Sequence, residues 1–400
     1  MKVSAVPRVR GFRASGVHCG IKVSDPDLAL LVSDRPAAAA GVFTRSTVVG
    51  APVEVSRERL RAGRARAVVV NSGVANVAMG ERGLRDARRM TDYTARALGC
   101  SPDEVLVAST GVIGEPLPMS EIKRGVGMAA EALSEEGLPD AAEAIRTTDT
   151  YAKVASKRIR LAGRMVTVAG IAKGSGMIEP DMATMLAFLV SDADATSPYL
   201  RGVLRRVCDD TFNRVSVDGE TSTSDSVLLM ANGASGAERL SAARGTEAER
   251  FEGAVHAVAE SLAMELARDG EGATKLVKVV VSGAWSAAQA RSAARRVANS
   301  LLVKTAIFGA DPNWGRILQT VGAGRIRLDL ARTRIRLCGV TVFRAGASAG
   351  PAARKRAAVR LAEREEVEIG VELGAGNHSE RVWTCDLSTE YVRINAEYTT

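Results

Sequence analysis

The stretch KGSGMIEPDMATMLAFLV, from Lys173 to Val190, passes from a polar glycine loop into an unbroken apolar run, with Met182, Ala183 and Thr184 at the joint. Taken alone, a threonine at the mouth of such a run is an ordinary β-branched strand residue. Its interest comes from chemistry that the rest of the chain lacks. The three histidines, His18, His256 and His378, lie far apart, so neither a Ser-His-Asp triad nor a clustered zinc ligand set is supported. If such a chain catalyses acyl transfer, its base must come from elsewhere. A threonine at a newly made chain start carries one, because its own α-amino group, with a reference pKa of ~7.7–8.0, can take the hydroxyl proton near neutral pH.

Polar clusters recur where apolar runs stop. NSGVAN begins at Asn71, STGVIGEP at Ser109, TTDT at Thr147 and KGSGMIEP at Lys173; VDGETSTSD, DGEGATK, GADPNWGR and INAEYTT follow from Val217, Asp269, Gly309 and Ile394. Each alone reads as a turn, since Gly, Asn, Asp and Ser all favour turns. KGSG lacks the G-x-x-x-x-G-K-[ST] spacing that cradles phosphates, and no G-x-G-x-x-G follows a first strand, so nucleotide binding has little support. What remains is a supply of hydroxyls, amides and glycine N–H groups at strand ends.

These groups need a scaffold, and the composition allows one. The 400 residues are 46% hydrophobic and 25% charged, which is globular and sufficient for one large domain or two moderate ones. The net charge of +8 is dispersed in clusters such as RERLRAGRAR and ARKRAAVRLAERE, interleaved with apolar residues at helical spacing. With only 4% aromatic residues to stack bases, this argues against a nucleic-acid partner. Cys19, Cys100, Cys208, Cys338 and Cys385 are scattered, odd in number and without a C-x-x-C pair, as expected of reduced thiols in the cytoplasm. The first residues have charge but no apolar signal core, and no apolar run approaches the ~20 residues needed to span a bilayer.

Strands are expected in DLALLVSD, RAVVVNSG, EVLVASTG, MVTVAGIAKGSG and TMLAFLVSDA, several of which end in the polar clusters. Between them, Ala87, Met90, Thr91, Thr94 and Leu98 share a helical face, as do Ile122, Val126, Ala129, Ala130 and Leu133 behind a Ser120 cap. A helix capped by Ser197, with Pro198 first, would bury Leu200, Val203, Leu204 and Val207. Phe251, Val255, Val258, Leu262 and Leu266 stripe a long helix stopped by Gly270; KLVKVVVSGA reads as a strand and SAAQARSAARRVANSLLVKT as one helix. Repeated βα alternation implies layered α and β structure.

Lys173–Leu186, KGSGMIEPDMATML, resembles the self-cleavage segment of the ornithine acetyltransferases, also called glutamate N-acetyltransferases, of the cyclic arginine pathway. GFRASGVHCGIK, PAAAAGVFT, VVVNSGVAN, ASTGVIGEPLPM, TTDTYAK, FNRVSVDGETSTSD, DGEGATKL, DPNWGRI and CDLSTEYVRINAEYTT extend the likeness, in the family's order, over nearly the whole chain. The resemblance implies an α/β fold, a layered α/β/β/α sandwich built from two autoproteolytic chains, residues 1–183 and 184–400. A smaller α/β domain would lie at about 240–350, and a C-terminal segment would return to the active site.

It further implies cleavage between Ala183 and Thr184, with Thr184 then acting as nucleophile. Acetyl would pass from N-acetylornithine to glutamate through a threonyl ester. Thr110 and Gly111 match the oxyanion hole. Thr147, Lys173, Glu271, Asn395 and Thr400 match substrate contacts, with Glu271 holding the substrate ammonium and Thr148 the alternative to Thr147. No metal or cofactor is implied, acetyl-CoA is left open as a further donor, and an α2β2 assembly is expected, with no nucleic-acid or membrane partner. Val74, the pair His18-Cys19, Arg214 and GNHSERVW depart from the family pattern and bear on the substrate more than on the chemistry. Two rivals stand beside this reading: an N-terminal-threonine amidohydrolase or aminopeptidase with water as acceptor, and a non-catalytic basic binding protein. A paralogue acting on another acetylated amino acid is a variant of the first reading.

Overall fold

Strict alternation along neighbouring strands explains how the first part of the chain buries a sheet on both faces. The architecture is that of a computed structural model, which describes residues 7–179, 185–241 and 244–397. In chain order its first half holds β1 (Phe12–Val17), β2 (Leu28–Phe43), α1 (Ala51–Arg59), β3 (Arg64–Val74), α2 (Gly80–Leu98), β4 (Val105–Val112), α3 (Met119–Glu131) and α4 (Leu138–Ala144). Then come β5 (Lys153–Leu161), β6 (Arg164–Lys173), β7 (Leu186–Ser191), α5 (Ser197–Asp210), β8 (Ser226–Ala231) and α6 (Thr246–Arg268). Leu31, Val68, Val70, Leu106 and Ala108 point to one side, into a cluster shared with Ile171, Phe188, Val190, Leu228 and Met230. Leu28, Leu30, Ala67, Val69, Val105 and Val107 point to the other, against Ala87 and Met90 of α2 and Ile122 and Val126 of α3.

The long strand β2 links the two β layers. Its first half pairs with β1 and β3, its second half, Ala38–Phe43, with β8, and the register shifts between Val32 and Ala37. Residues 34–36 are exposed at that shift, where Pro36 can sit without forfeiting a ladder bond. The order is β4-β3-β2-β8-β7-β6-β5, with β1 also on β2. On the outer face of the second layer, a Cβ at Gly170 would lie 3.2 Å from Leu262, which brings α6 down onto β6. The Tyr199 and Phe251 rings, 6.1 Å apart, join α5 to α6. The expected α/β/β/α layering is therefore present, drawn from residues on both sides of position 184.

The second compact unit takes Arg214–Gly219 and the chain from Ala267 onward. It comprises β9 (Leu276–Ala284), α7 (Ala287–Asn299), α8 (Leu301–Phe308), α9 (Trp314–Ala323), β10 (Arg334–Leu337), β11 (Val340–Arg344), β12 (Ala347–Ser348), α10 (Pro351–Glu363), β13 (Glu366–Glu372), β14 (His378–Cys385) and α11 (Thr389–Glu397). It runs later than the span of about 240–350 read from the sequence. The stripe of α6 is spent on the first unit, while β13 and β14 flank β9 on either side and cannot be cut from its sheet.

Three local boundaries also differ from the sequence reading. Helix α3 begins after Pro118, and Ser120 donates instead to Glu121 at 2.6 Å. Thr196, not Ser197, caps α5, accepting from the Tyr199 N–H, while the Ser197 hydroxyl donates to the Ala39 carbonyl at 2.9 Å. The run from Ser286 to Thr305 is two helices, because Ser300 adopts an extended ψ of 111° and caps α8. Phe188, 1% exposed between the β layers, gives a direct test of that core: Phe188→Ala should lose about 3–5 kcal/mol in chemical denaturation.

Candidate active site

Lys173 is the last residue of β6, paired across the ladder with Leu186 of β7. Its Nζ donates to the Thr147 hydroxyl at 2.7 Å and to the Thr110 hydroxyl at 3.4 Å. Three of the residues singled out from sequence are thus brought together by strand ends: Thr110 by β4, Lys173 by β6 and Thr147 by the loop before β5. Thr148 serves a different partner, its hydroxyl lying 2.7 Å from that of Ser175.

The loop is held by a buried ion pair. Asp149 accepts from Lys153 Nζ at 2.7 Å, from the Gly174 N–H at 2.6 Å and from the Thr147 N–H at 3.1 Å. Both side chains are fully buried. Burial alone would raise the Asp149 carboxyl; the charges of Lys153 and Lys173 and the hydrogen bonds from Lys153 and Gly174 overcome it and hold the group well below the usual carboxylate range. A second tie reaches the loop from the His18–Asp25 segment: Lys22 Nζ donates to the Arg146 carbonyl at 3.0 Å. That segment is itself gathered by Asp27, which accepts the N–H groups of Cys19, Gly20, Ile21 and Lys22.

Gly111 is glycine for a steric reason. Its φ is +130°, and a Cβ there would lie 2.2 Å from the Gly73 carbonyl carbon and 2.6 Å from the Val74 nitrogen. The ladder between β3 and β4 shifts register at Gly73 and Val74. This bulge turns backbone away from plain strand geometry just where an oxyanion-binding N–H is expected.

Ala183 and Thr184 lie outside the described residues, as does Thr400. The described residue next to Thr184 is Met185, buried, whose carbonyl accepts from the Ser226 N–H at 3.0 Å. Beside it stands Asp225, 2% exposed, whose Oδ2 has no hydrogen-bond partner among the described residues. Burial raises this carboxyl well above its ordinary range; Ser222, the Met185 backbone and the charge of Lys173 oppose the rise without cancelling it.

In the second unit, Glu271, 8% exposed, accepts from Asn395 Nδ2 at 2.7 Å. The geometry is prepared by a latch: Asp386 accepts from the N–H groups of Thr274 and Lys275, at 2.8 and 3.0 Å, and Ser388 donates to the Gly272 carbonyl at 2.6 Å. At Gly272, φ +68°, a Cβ would lie 2.5 Å from the Tyr391 nitrogen. The DGEG loop and the helix carrying Asn395 are therefore seated on each other.

The match to the ArgJ family extends over residues 13–400. The chain belongs to the ArgJ family. The arginine biosynthesis bifunctional protein ArgJ of Symbiobacterium thermophilum is 47% identical over 393 residues, covering 98% of this chain and 97% of that protein. The protein of the same name from Geobacter sulfurreducens is 47% identical over 394 residues, with 98% and 100% covered. Among solved structures, ornithine acetyltransferase of Mycobacterium tuberculosis complexed with ornithine is 40% identical, at a TM-score of 0.40, covering 44% of this chain and 94% of that one.

Of the residues departing from the family pattern, Val74 lies at the Gly73–Gly111 contact and His18 and Cys19 in the Asp27-gathered segment. Arg214 pairs with Glu380 at 3.1 Å within the second unit. Two residues that the sequence does not single out are Asp149 and Asp225, because each lies in a cluster of turn formers and looks like one more of them. Their signal is positional: each sits just before a run that becomes a strand. Among the described residues no group of three His, Cys, Asp or Glu side chains could hold a metal, and no helix is long and apolar enough to cross a membrane.

Asp149→Ala would take from the buried Lys153 the carboxylate that faces it at 2.7 Å, and should cost about 3–5 kcal/mol in denaturation at pH 7. The sign with pH follows from the depressed carboxyl: its stabilisation is fully present above the unfolded value of ~3.9 and is lost as pH falls toward the folded value. The gap between parent and variant should thus be nearly whole at pH 4, narrow as pH falls further, and close only near the depressed folded value.

Proposed function

We propose that this chain is a self-processed acetyltransferase of arginine biosynthesis, moving acetyl from N2-acetylornithine to glutamate through an ester on Thr184. Family membership supports the reaction class. The observation that carries the residue assignment is the meeting of Lys173, Thr147 and Thr110 at strand ends, on the strand that pairs with β7 at Leu186, two residues after Thr184.

In the precursor, the Thr184 hydroxyl attacks the Ala183 carbonyl; the acyl group shifts from nitrogen to oxygen, and water hydrolyses the ester. Thr184 then begins the second chain, and its free α-amino group removes the hydroxyl proton when Oγ attacks the acetyl carbonyl. Charge developing on that oxygen is met by Thr110 and the Gly111 N–H, a contribution of ~3 kcal/mol for a well-placed donor. Ornithine departs with a proton, and the glutamate amine attacks the ester to give N-acetylglutamate. Lys173 with Thr147 suits a substrate carboxylate, Glu271 suits an ammonium, and Asn395 and Thr400 complete the contacts. Acetyl-CoA stays open in this scheme as a second donor to the same threonine. The chain needs no cofactor in this scheme, and two αβ pairs would associate in the cytoplasm.

A denaturing gel with mass spectrometry checks the processing: two fragments, the second starting at Thr184, with Thr184→Ala whole and inactive. Incubation with N-acetylornithine, with and without glutamate, checks the transfer. N-acetylglutamate should form only with glutamate present; free acetate in both tubes, without N-acetylglutamate, would assign the chain to the amidohydrolases. Lys173→Met should lower kcat/KM by roughly 100-fold, the loss expected when a buried charge-assisted contact of ~3 kcal/mol is removed.

A further inference from the structure

GFRASGVHCGIK ends on Lys22, to which the scheme above gives no part. The segment is anchored by Asp27, fully buried, which accepts the N–H groups of Cys19, Gly20, Ile21 and Lys22. From there the Lys22 side chain runs along the end of β3. A Cβ at Gly73, φ +110°, would lie 2.9 Å from Ile21 Cγ2 and 3.3 Å from Lys22 Cγ, so glycine at 73 makes room for this stem. The carbonyl carbon of the same glycine lies against Gly111, where a Cβ would come within 2.2 Å of it. Lys22 Nζ then donates to the Arg146 carbonyl at 3.0 Å. The next residue is Thr147, whose hydroxyl accepts from Lys173 Nζ at 2.7 Å. Two ammonium groups thus converge on the Arg146–Thr147 link, one on its carbonyl and one on the adjoining hydroxyl. We infer that Lys22 is a specificity-determining residue that binds the side-chain carboxylate of a dicarboxylic amino-acid acceptor, while Lys173 serves the acceptor's other carboxylate.

This role rests on the reading of glutamate as acceptor and supplies what that reading lacks. Beyond the reacting group, N-acetylornithine offers one carboxylate and one ammonium, whereas glutamate offers two carboxylates. The two halves of the cycle therefore need different charges from one site. Lys173 answers the carboxylate that both substrates share; a second cation is needed for the one that only glutamate has. A lysine carries three N–H donors, and among the described residues Lys22 Nζ has one hydrogen-bond acceptor, a neutral carbonyl. Burial lowers its ammonium below the ordinary lysine range, and the charges of Arg146 and Lys173 add to this against those of Asp25 and Asp27. A carboxylate bound between the two lysines relieves that repulsion. Arg146 is committed elsewhere: its guanidinium donates to the Asp149 carbonyl at 2.8 and 3.2 Å and pairs with Glu143.

The test compares glutamate with glutamine, which differs only in carrying an amide for the side-chain carboxylate, as acceptors for the parent, Lys22→Met and Lys22→Arg, with N-acetylornithine as donor. The ratio of the two kcat/KM values cancels damage common to both acceptors. In Lys22→Met the preference for glutamate should fall about 10- to 100-fold, the loss expected for a hydrogen bond between charged groups, and it should do so through a rise in the KM for glutamate. Lys22→Arg should keep most of the preference, which a merely structural loss would not discriminate. Exchange of labelled ornithine into N-acetylornithine reads the donor half alone and should fall less than glutamate transfer. A parent that uses glutamine as well as glutamate overturns the assignment, and so does a Lys22→Met ratio equal to the parent's. A parent that gives neither exchange nor N-acetylglutamate overturns the acetyltransferase reading instead. If Lys22→Met loses its cooperative thermal transition, Lys22→Gln decides: a lost preference supports the assignment, and a parental one overturns it.

Discussion

The Asp149–Lys153 pair is the interaction on which the candidate site depends. It is formed by loop and strand start, four residues apart, and the same carboxylate also grips the Gly174 N–H beyond the end of β6 and the Thr147 N–H. One buried charge thus fixes two segments that have no ladder bond to each other. Such a pair gives little net stability against a well-packed apolar alternative, but breaking it is costly, so it enforces a single geometry. Thr147 meets Lys173 at 2.7 Å because both ends of that contact hang from Asp149.

Much of the scaffold could be read from sequence because burial on both faces leaves continuous apolar runs, as in RAVVVNSG and TMLAFLVSDA, and because the stripe of α6 has an uninterrupted helical period. What escaped reading was set by partners distant in the chain. DLALLVSD reveals the start of β2 but not its continuation through exposed residues 34–36, since the second half of that strand is defined by β8, nearly two hundred residues later. Ser300 is invisible as a break because helical spacing continues on either side of it. EVEIGVE shows its alternation plainly, yet only the fold reveals that β13 runs parallel to β9.

The candidate site shows the same division. Thr110, Gly111, Thr147 and Lys173 were found through polar clusters and family likeness, and the fold supplies reasons for each: a bulge at Gly111, a shared ammonium between two hydroxyls. Glu271 and Asn395, 124 residues apart, meet through the Asp386 and Ser388 latch. Asp149 and Asp225 could not be ranked above other turn-forming aspartates, because what distinguishes them is dehydration, and that is a property of three-dimensional packing alone.

Those two carboxyls also explain the charge state of the site. Lys173 acts on both, yet they are driven in opposite directions, since Asp149 has an ammonium at 2.7 Å and two N–H donors while one oxygen of Asp225 has no donor among the described residues. Burial therefore raises one carboxyl well above its ordinary range, while at the other two lysine charges and a pair of hydrogen bonds overcome it.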